Sequence, residues 1–282
     1  MKIALGLHGI VGGIGGKYGK GDSKKALELG YDHYKKYILD HNDCDVFCHT
    51  ASLERANEIL DLYQPVRHKF IPQPRFLVPS DGHTGYDEKR IQAHYHKWFS
   101  HKHVSQLRLQ HERETGVKYD MMYIGRYDLA WNTVVNFSEF DPNKFWLGHW
   151  NRLDGISNPE WYKKRLEENL PLITDNKYNN DDIPLVGYPH NDEGVIDQWA
   201  FSSPKNMDMY CTLYDHMDEY LTRNPNTWWD GKSTIYDSTG GISNHRLLPC
   251  HLENMGLLDK VDFAYYLHDD FPTVRRMYFG NK

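Results

Sequence analysis

The chain has 282 residues, of which 39% are apolar, 26% charged and 14% aromatic, and its formal net charge is −6. Such a composition can bury a sizeable core, which excludes a disordered or collagen-like chain, and no apolar run approaches the roughly 18 residues of a membrane-spanning helix. The acidic balance disfavours a protein that lives on nucleic-acid phosphates, and four scattered cysteines (Cys44, Cys48, Cys211, Cys250) do not make a disulfide framework in a chain this long.

Residues 2–7 (KIALGL) read as a short strand followed by glycine punctuation. A glycine-rich loop covers 9–21. Asp22 and Ser23 cap a helix in which Ala26, Leu29, Tyr34, Tyr37 and Ile38 recur at helical spacing up to Leu39. Residues 45–50 (DVFCHT) form a second strand, and 52–62 a helix stopped by Pro65. A third strand, 69–71, is bounded by Pro72 and Pro74. The longest helix covers 86–114, with no Pro or Gly inside it and Gly116 at its end. An apolar strand at 121–124 opens into Gly125-Arg126-Tyr127-Asp128, and 145–148 is another strand. Residues 151–182 are polar and read as a surface excursion. Further strand candidates are 183–186, 198–202 and 261–267. Helices are expected at 207–221 and within 241–256, before an aromatic and basic tail at 271–282.

Strands that alternate with helices indicate an α/β fold, in which ligands sit beyond the carboxyl ends of the strands. The residues just after Leu7, Phe47 and Ile124 should therefore face one crevice. The glycine loop fails the phosphate-loop pattern. Five positions before Gly16-Lys17 stands Val11, five before Gly19-Lys20 stands Ile14, and neither lysine precedes Ser or Thr. The dinucleotide pattern fails as well, because Gly13-x-Gly15 is followed three positions later by Tyr18. The loop, with Lys17, either admits a nucleotide diphosphate or is a plain loop.

Arg126 and Asp128 fall on one face of a strand end. Asp128 suits a hard cation and Arg126 a phosphate, or the two are a structural ion pair. The acids around Asp197, just before an apolar aromatic strand, offer either a proton acceptor or a turn cluster. The 17 histidines include His94, His96, His101 and His103, which at seven-residue spacing form two helix stripes. Without a His-Glu-x-x-His pattern these stripes are expected to be a solvated face rather than a zinc site. Cys44 and Cys48 are expected to be buried thiols. His268, after the last strand candidate, is a metal or phosphate ligand candidate. Trp228-Trp229-Asp230 either stacks on sugar rings or pins a loop.

The order of these motifs resembles the small GT-A-type glycosyltransferases of viral, phage and bacterial polysaccharide gene sets. The resemblance rests on an Asp-Val-Phe-x-His-Thr strand, a Tyr-x-Pro turn, a long helix leading to Tyr-Asp-x5-Arg-x-Asp, and a later Asp-Gln-x-Ala-Phe-x-Ser segment followed by a helix beginning Asn-Met-Asp. It implies a single Rossmann-type domain with a mixed, mainly parallel central sheet flanked by helices. The catalytic core would cover 1–220, and 221–282 would be an extension on the same domain, on the acceptor side. It further implies a nucleotide-sugar donor and a carbohydrate-like acceptor; a cytoplasmic location is expected instead from the cysteine usage and from a first apolar run, Ile3 to Leu7, too short for a signal-peptide core. The family usually carries Asp-x-Asp for a divalent metal. Here the first acid position is Arg126, so either Arg126 takes over part of the charge neutralisation, or Asp128 holds manganese or magnesium with His268. By the resemblance, His8, Gly9, Thr50, Arg126 and Asp128 meet the donor, and Asp197 is the base of an inverting enzyme or positions the sugar in a retaining one. The glycine loop adds Lys17 on the donor side, and sugar stacking would put Trp228, Trp229 and Asp230 on the acceptor side. Three rivals stand beside this reading: a transferase acting on a modified DNA base, a carbohydrate-binding protein that lost catalysis, and a metal-dependent hydrolase built on the histidines.

Overall fold

The computed structural model describes residues 1–12, 22–78, 88–149, 195–222, 242–267 and 270–279. Seven strands form one sheet: β1 (Lys2–His8), β2 (Asp43–Thr50), β3 (Arg67–Phe70), β4 (Met121–Arg126), β5 (Phe145–His149), β6 (Trp199–Ser202) and β7 (Val261–Tyr266). Their order across the sheet is β3-β2-β1-β4-β6-β5-β7. Four of the six pairings are parallel, and β6 runs antiparallel to both of its neighbours, β4 and β5. The protein is thus α/β with a mixed, mostly parallel sheet, compatible with a Rossmann-like arrangement. Among the described residues no helix is long and apolar enough to cross a membrane.

The strand sequences explain the layering. β1 is buried from Ile3 to Leu7, as expected of a central parallel strand covered on both faces. Its side chains divide by the period of two: Ala4 joins the core on one face of the sheet, Ile3 and Leu5 the core on the other. β4 repeats the pattern, with Met122 and Ile124 on the first face and Met121 and Tyr123 on the second.

Helix α1 (Ser23–Tyr37) is N-capped by Asp22, whose side chain accepts from the Lys25 amide at 2.9 Å. It is followed by α2 (Ala56–Tyr63) and by the long α3 (Glu88–Thr115). The close fit of α3 on β1 depends on Gly6, where a Cβ would lie 2.3 Å from Val104 Cγ1. The region expected as one helix at 207–221 is two helices, α4 (Pro204–Cys211) and α5 (Leu213–Thr222). The break falls at Thr212, whose amide and hydroxyl both turn back to the Met209 carbonyl, at 3.2 and 2.6 Å. This local bonding competes with continuation of the helix.

Past residue 241 come α6 (Asn244–Asn254), β7, which pairs with β5 at the edge of the same sheet, and α7 (Val274–Phe279). His33 ties α7 to α1. Its Nδ1–H donates to the Trp131 carbonyl at 2.6 Å, and its Nε2 accepts from the Tyr278 hydroxyl at 2.7 Å. All four cysteines are free. Of the two expected as buried thiols, Cys48 is buried and Cys44 is only half-buried; Cys211 and Cys250 are buried as well. Burial pushes the Cys48 thiol up to about 12, so it is inert as a nucleophile near neutral pH. The excursion at 151–182 and the strand candidate at 183–186 lie outside the described residues.

Candidate functional site

A cavity of about 270 Å³ opens at the carboxyl ends of the parallel strands. β1 contributes His8 and the following Gly9, β2 contributes His49 with Ala51 just beyond it, and β4 contributes Arg126. The expectation that residues after Leu7, Phe47 and Ile124 face one crevice is met. The segment after β3, Ile71 to Pro74, forms a second wall, and α3 forms a third. Ala93, His96, Lys97 and Ser100 reach the cavity from α3 at positions i, i+3, i+4 and i+7, one face of the helix. Asp197, just before β6, and Asn244, at the start of α6, complete the rim.

The charges of the cavity form two pairs. Lys97 Nζ reaches both the carboxylate and the main-chain carbonyl of Asp197, and His245 Nδ1 lies 3.6 Å from the same carboxylate. Burial pushes the Asp197 carboxyl up, but Lys97, His245 and Arg126 outweigh it and hold the group well below the usual carboxylate range. Burial in turn lowers Lys97, against the opposing pull of Asp197. In the second pair, Arg126 donates from Nε to Asp128 Oδ1 at 2.8 Å and from Nη2 to Oδ2 at 2.6 Å. This is a bidentate guanidinium–carboxylate contact. The Arg126 side chain is 40% exposed and faces the cavity, whereas that of Asp128 is 11% exposed. The backbone under Arg126 is fixed from α1, where the Tyr34 hydroxyl donates to the Arg126 carbonyl at 2.7 Å.

The neutral wall is built of imidazoles. His8 and His101 meet Nε2 to Nε2 at 2.8 Å, so one of the two nitrogens carries the proton and the other accepts it. Burial, then Lys97 and Arg126, hold His8 well below its ordinary range; burial and His8 do the same to His101. His49 stacks on His103 with ring centroids 5.0 Å apart, and among the described residues neither of its ring nitrogens has a hydrogen-bond partner. Burial, then His103 and Lys69, push it down to about 3. The stripe of His94 and His101, expected on a solvated face, is therefore buried. Both side chains lie on the core-facing stripe that also carries Ile91, Tyr95, Trp98 and Val104. The apolar residues of α3 set which face turns inward, and the imidazoles on that face go with them. Among the described residues no group of three or more His, Cys, Asp or Glu could hold a metal ion.

Of the residues singled out in the sequence, His8, Gly9, Arg126 and Asp197 line the cavity together. Thr50 sits beneath it, fully buried. Its hydroxyl accepts from the Ser52 amide at 3.0 Å, and this turn presents Ala51 to the cavity. Asp128 lies behind Arg126. Both of its carboxylate oxygens are engaged by the guanidinium. Lys17, Trp228, Trp229, Asp230 and His268 lie outside the described residues. Sequence reasoning missed Lys97, His49 and Asn244, and it put His101, which is fully buried, on a solvated helix face. The signal for Lys97 was present as a helical face, 93/96/97/100, carrying a single cation. No protein-family model matches the chain, and a search of curated proteins finds no match.

Proposed function

We propose that the chain is a glycosyltransferase of the GT-A type, moving a sugar from a nucleoside-diphosphate donor to an acceptor hydroxyl. The observation that carries the reading is the cavity itself. It lies beyond the carboxyl ends of parallel strands, where nucleotides bind in open α/β sheets, and it joins a neutral, partly aromatic wall to a rim holding Arg126, Lys97 and Asp197. A nucleotide sugar has that polarity: a flat neutral base at one end, a diphosphate and a hydroxylated ring at the other. In this reading Arg126 meets the diphosphate; the bond from the anomeric carbon to phosphate oxygen breaks with its electron pair leaving on the phosphate, the anomeric carbon bonds to the acceptor oxygen, and the proton of that hydroxyl passes to the leaving phosphate oxygen. Donors fixed in advance around that charge supply most of the rate. A carboxylate held as low as Asp197 is a poor proton acceptor at neutral pH. The reading therefore gives it the positioning role, accepting hydrogen bonds from sugar hydroxyls while Lys97 keeps it ionised.

The test is a thermal-shift screen of UDP, GDP and their sugar conjugates, each in EDTA and in manganese. At 100 times its dissociation constant a binder stabilises by about 2.7 kcal/mol, which moves the midpoint of a chain this size by several degrees. The expected result is a shift for one nucleotide family, followed by donor turnover when acceptor glycans are added. No shift for any nucleotide, together with binding of free sugars, would replace the reading by that of a non-catalytic carbohydrate-binding protein.

A further inference from the structure

We infer that Asp128 is a positioning residue for Arg126, and that the guanidinium it holds, not a divalent cation, meets the donor diphosphate. The inference rests on the glycosyltransferase reading and states how that site handles the leaving group.

The argument begins with donor geometry. Arginine has five N–H donors in a rigid plane. Asp128 engages the Nε–Nη2 edge, one bond to each carboxylate oxygen. Among the described residues no other partner takes the remaining three N–H groups, two on Nη1 and one on Nη2, and one from each nitrogen forms a second parallel fork on the edge away from Asp128. A fork of that kind matches two oxygens of a phosphate. Free rotation of a long side chain would blur it, and the carboxylate clamp prevents that rotation. The Tyr34 hydroxyl fixes the Arg126 carbonyl as well, so both ends of the residue are held.

The surroundings of Asp128 close the alternative. A cation ligand needs room for the ion and for water or phosphate oxygens beside it. On one side of Asp128 the loop after β1 passes so near that a Cβ on Gly12 would lie 2.6 Å from Asp128 Oδ2. The loop is pinned there, because the Val11 amide donates to Ser52 Oγ at 3.0 Å. On the other side stands Arg126. The residue that faces the cavity is the arginine, and the acid is packed behind it. The chain has replaced the first acid of an Asp-x-Asp pair by an arginine and turned the second acid into that arginine's support.

The experiment is isothermal titration of the full chain with UDP, GDP and inorganic pyrophosphate, in EDTA and in manganese. It is run on the wild type, Asp128→Asn, Arg126→Lys and the double variant. The expected result is one nucleotide binding within twofold with or without manganese, and at least tenfold more weakly in either single variant. The double variant should be no more than twofold weaker than Arg126→Lys alone, because Asp128 has nothing to position once the fork is gone. A merely structural role for Asp128 would lower affinity equally in both backgrounds and would overturn the inference. So would binding that requires manganese and is lost in Asp128→Asn while Arg126→Lys retains it; the transferase reading would then stand. Absence of binding under every condition would remove the transferase reading and this inference together. Should Asp128→Asn fail to fold, Arg126→Lys decides: a tenfold loss without metal dependence supports the inference, and unchanged affinity overturns it.

Discussion

Acidification should unfold this protein earlier than its carboxylates alone would require, and the buried histidines give the size of the effect. His94 is 7% exposed and donates from Nε2 to the Ile242 carbonyl at 3.1 Å. His251 is fully buried, donates from Nε2 to the Met209 carbonyl at 3.0 Å and accepts at Nδ1 from the Tyr220 hydroxyl at 2.8 Å. The carbonyl bonds serve either protonation state, and it is burial that favours the neutral ring. Burial, assisted by Arg90, lowers His94 to about 4, and burial lowers His251 to about 4. In the unfolded chain both titrate near 6.5. Above pH 6.5 neither state binds the proton, and the full stability is present. Between about 6.5 and 4 the unfolded chain takes the protons first, so stability falls as pH falls through that window. A shift of about 2.5 units corresponds to about 3 kcal/mol for each ring, and the slope near pH 5 for the two together is about 2.4 kcal/mol per pH unit. His8, His49 and His101 shift in the same direction and add to it. Asp197 is also depressed, but its contribution is lost only below the normal carboxylate range, so the two effects occupy separate windows. Urea unfolding measured from pH 8 to pH 5 tests the claim. A total stability of about 5 to 15 kcal/mol should lose a large part of itself across that range. A flat dependence between pH 7.5 and pH 5 would refute the picture of buried neutral rings.

Three further outcomes follow from single contacts. Lys97→Met leaves the buried Asp197 carboxylate with only His245 at 3.6 Å and the more distant Arg126. It should cost about 3 kcal/mol in urea unfolding at pH 7, most of it recovered by adding Asp197→Asn; equal losses in the single and double variants would show that the cost is not electrostatic. Gly6→Val forces a side chain into Val104, since even a Cβ would lie 2.3 Å from its Cγ1. It should destabilise by about 1 to 3 kcal/mol through overpacking, relieved in part by Val104→Ala, and an unchanged urea midpoint would mean that α3 does not pack on β1 this closely. Tyr34→Phe removes the hydroxyl that joins the Arg126 carbonyl at 2.7 Å and the Tyr123 hydroxyl at 3.0 Å. A loss of about 1 to 3 kcal/mol is expected for the buried groups it abandons, and chemical denaturation of the variant measures it.

The central strands were legible because β1 and β4 are short apolar runs bounded by glycine or polar residues, and the alternation with helices fixed the α/β class; β3, Arg67–Phe70, is largely polar and starts two residues before the expected 69–71. The antiparallel course of β6 was not legible. Nothing local to residues 199–202 encodes strand direction, which depends on the path of the chain that precedes it. The break between α4 and α5 was missed for a different reason. Thr212 has an acceptable helix propensity, and only its hydroxyl bond to Met209 shows that it caps instead of continuing. His94 and His101 of α3 were assigned to a solvated face because the spacing of their stripe matches no zinc pattern. Their heptad spacing placed them beside Ile91, Tyr95 and Trp98, and that neighbourhood, rather than residue type, decided their burial.

The two ion pairs of the cavity show where the reach of sequence reasoning ends. Arg126 and Asp128 are two positions apart, so they could be named together before any fold was known, although β4 ends at Arg126 and it is the following turn that brings Asp128 back to the guanidinium. Lys97 and Asp197 are separated by 100 residues. Their meeting requires α3 to lie across β1, which Gly6 permits, and the chain to return antiparallel beside β4, so that Asp197 enters at the end of the sheet where β4 leaves it. Register settles the point: Gly125 pairs with Trp199, which puts Asp197 two residues outside the ladder, level with the residues that follow Arg126. The reversal of β6 therefore does more than close the sheet. A parallel strand at that position would bring its carboxyl end, not the residues before its start, to the cavity, and Asp197 would lie at the opposite edge. The antiparallel insertion is what brings a carboxylate, and with it Lys97, to the site defined by β1, β2 and β4.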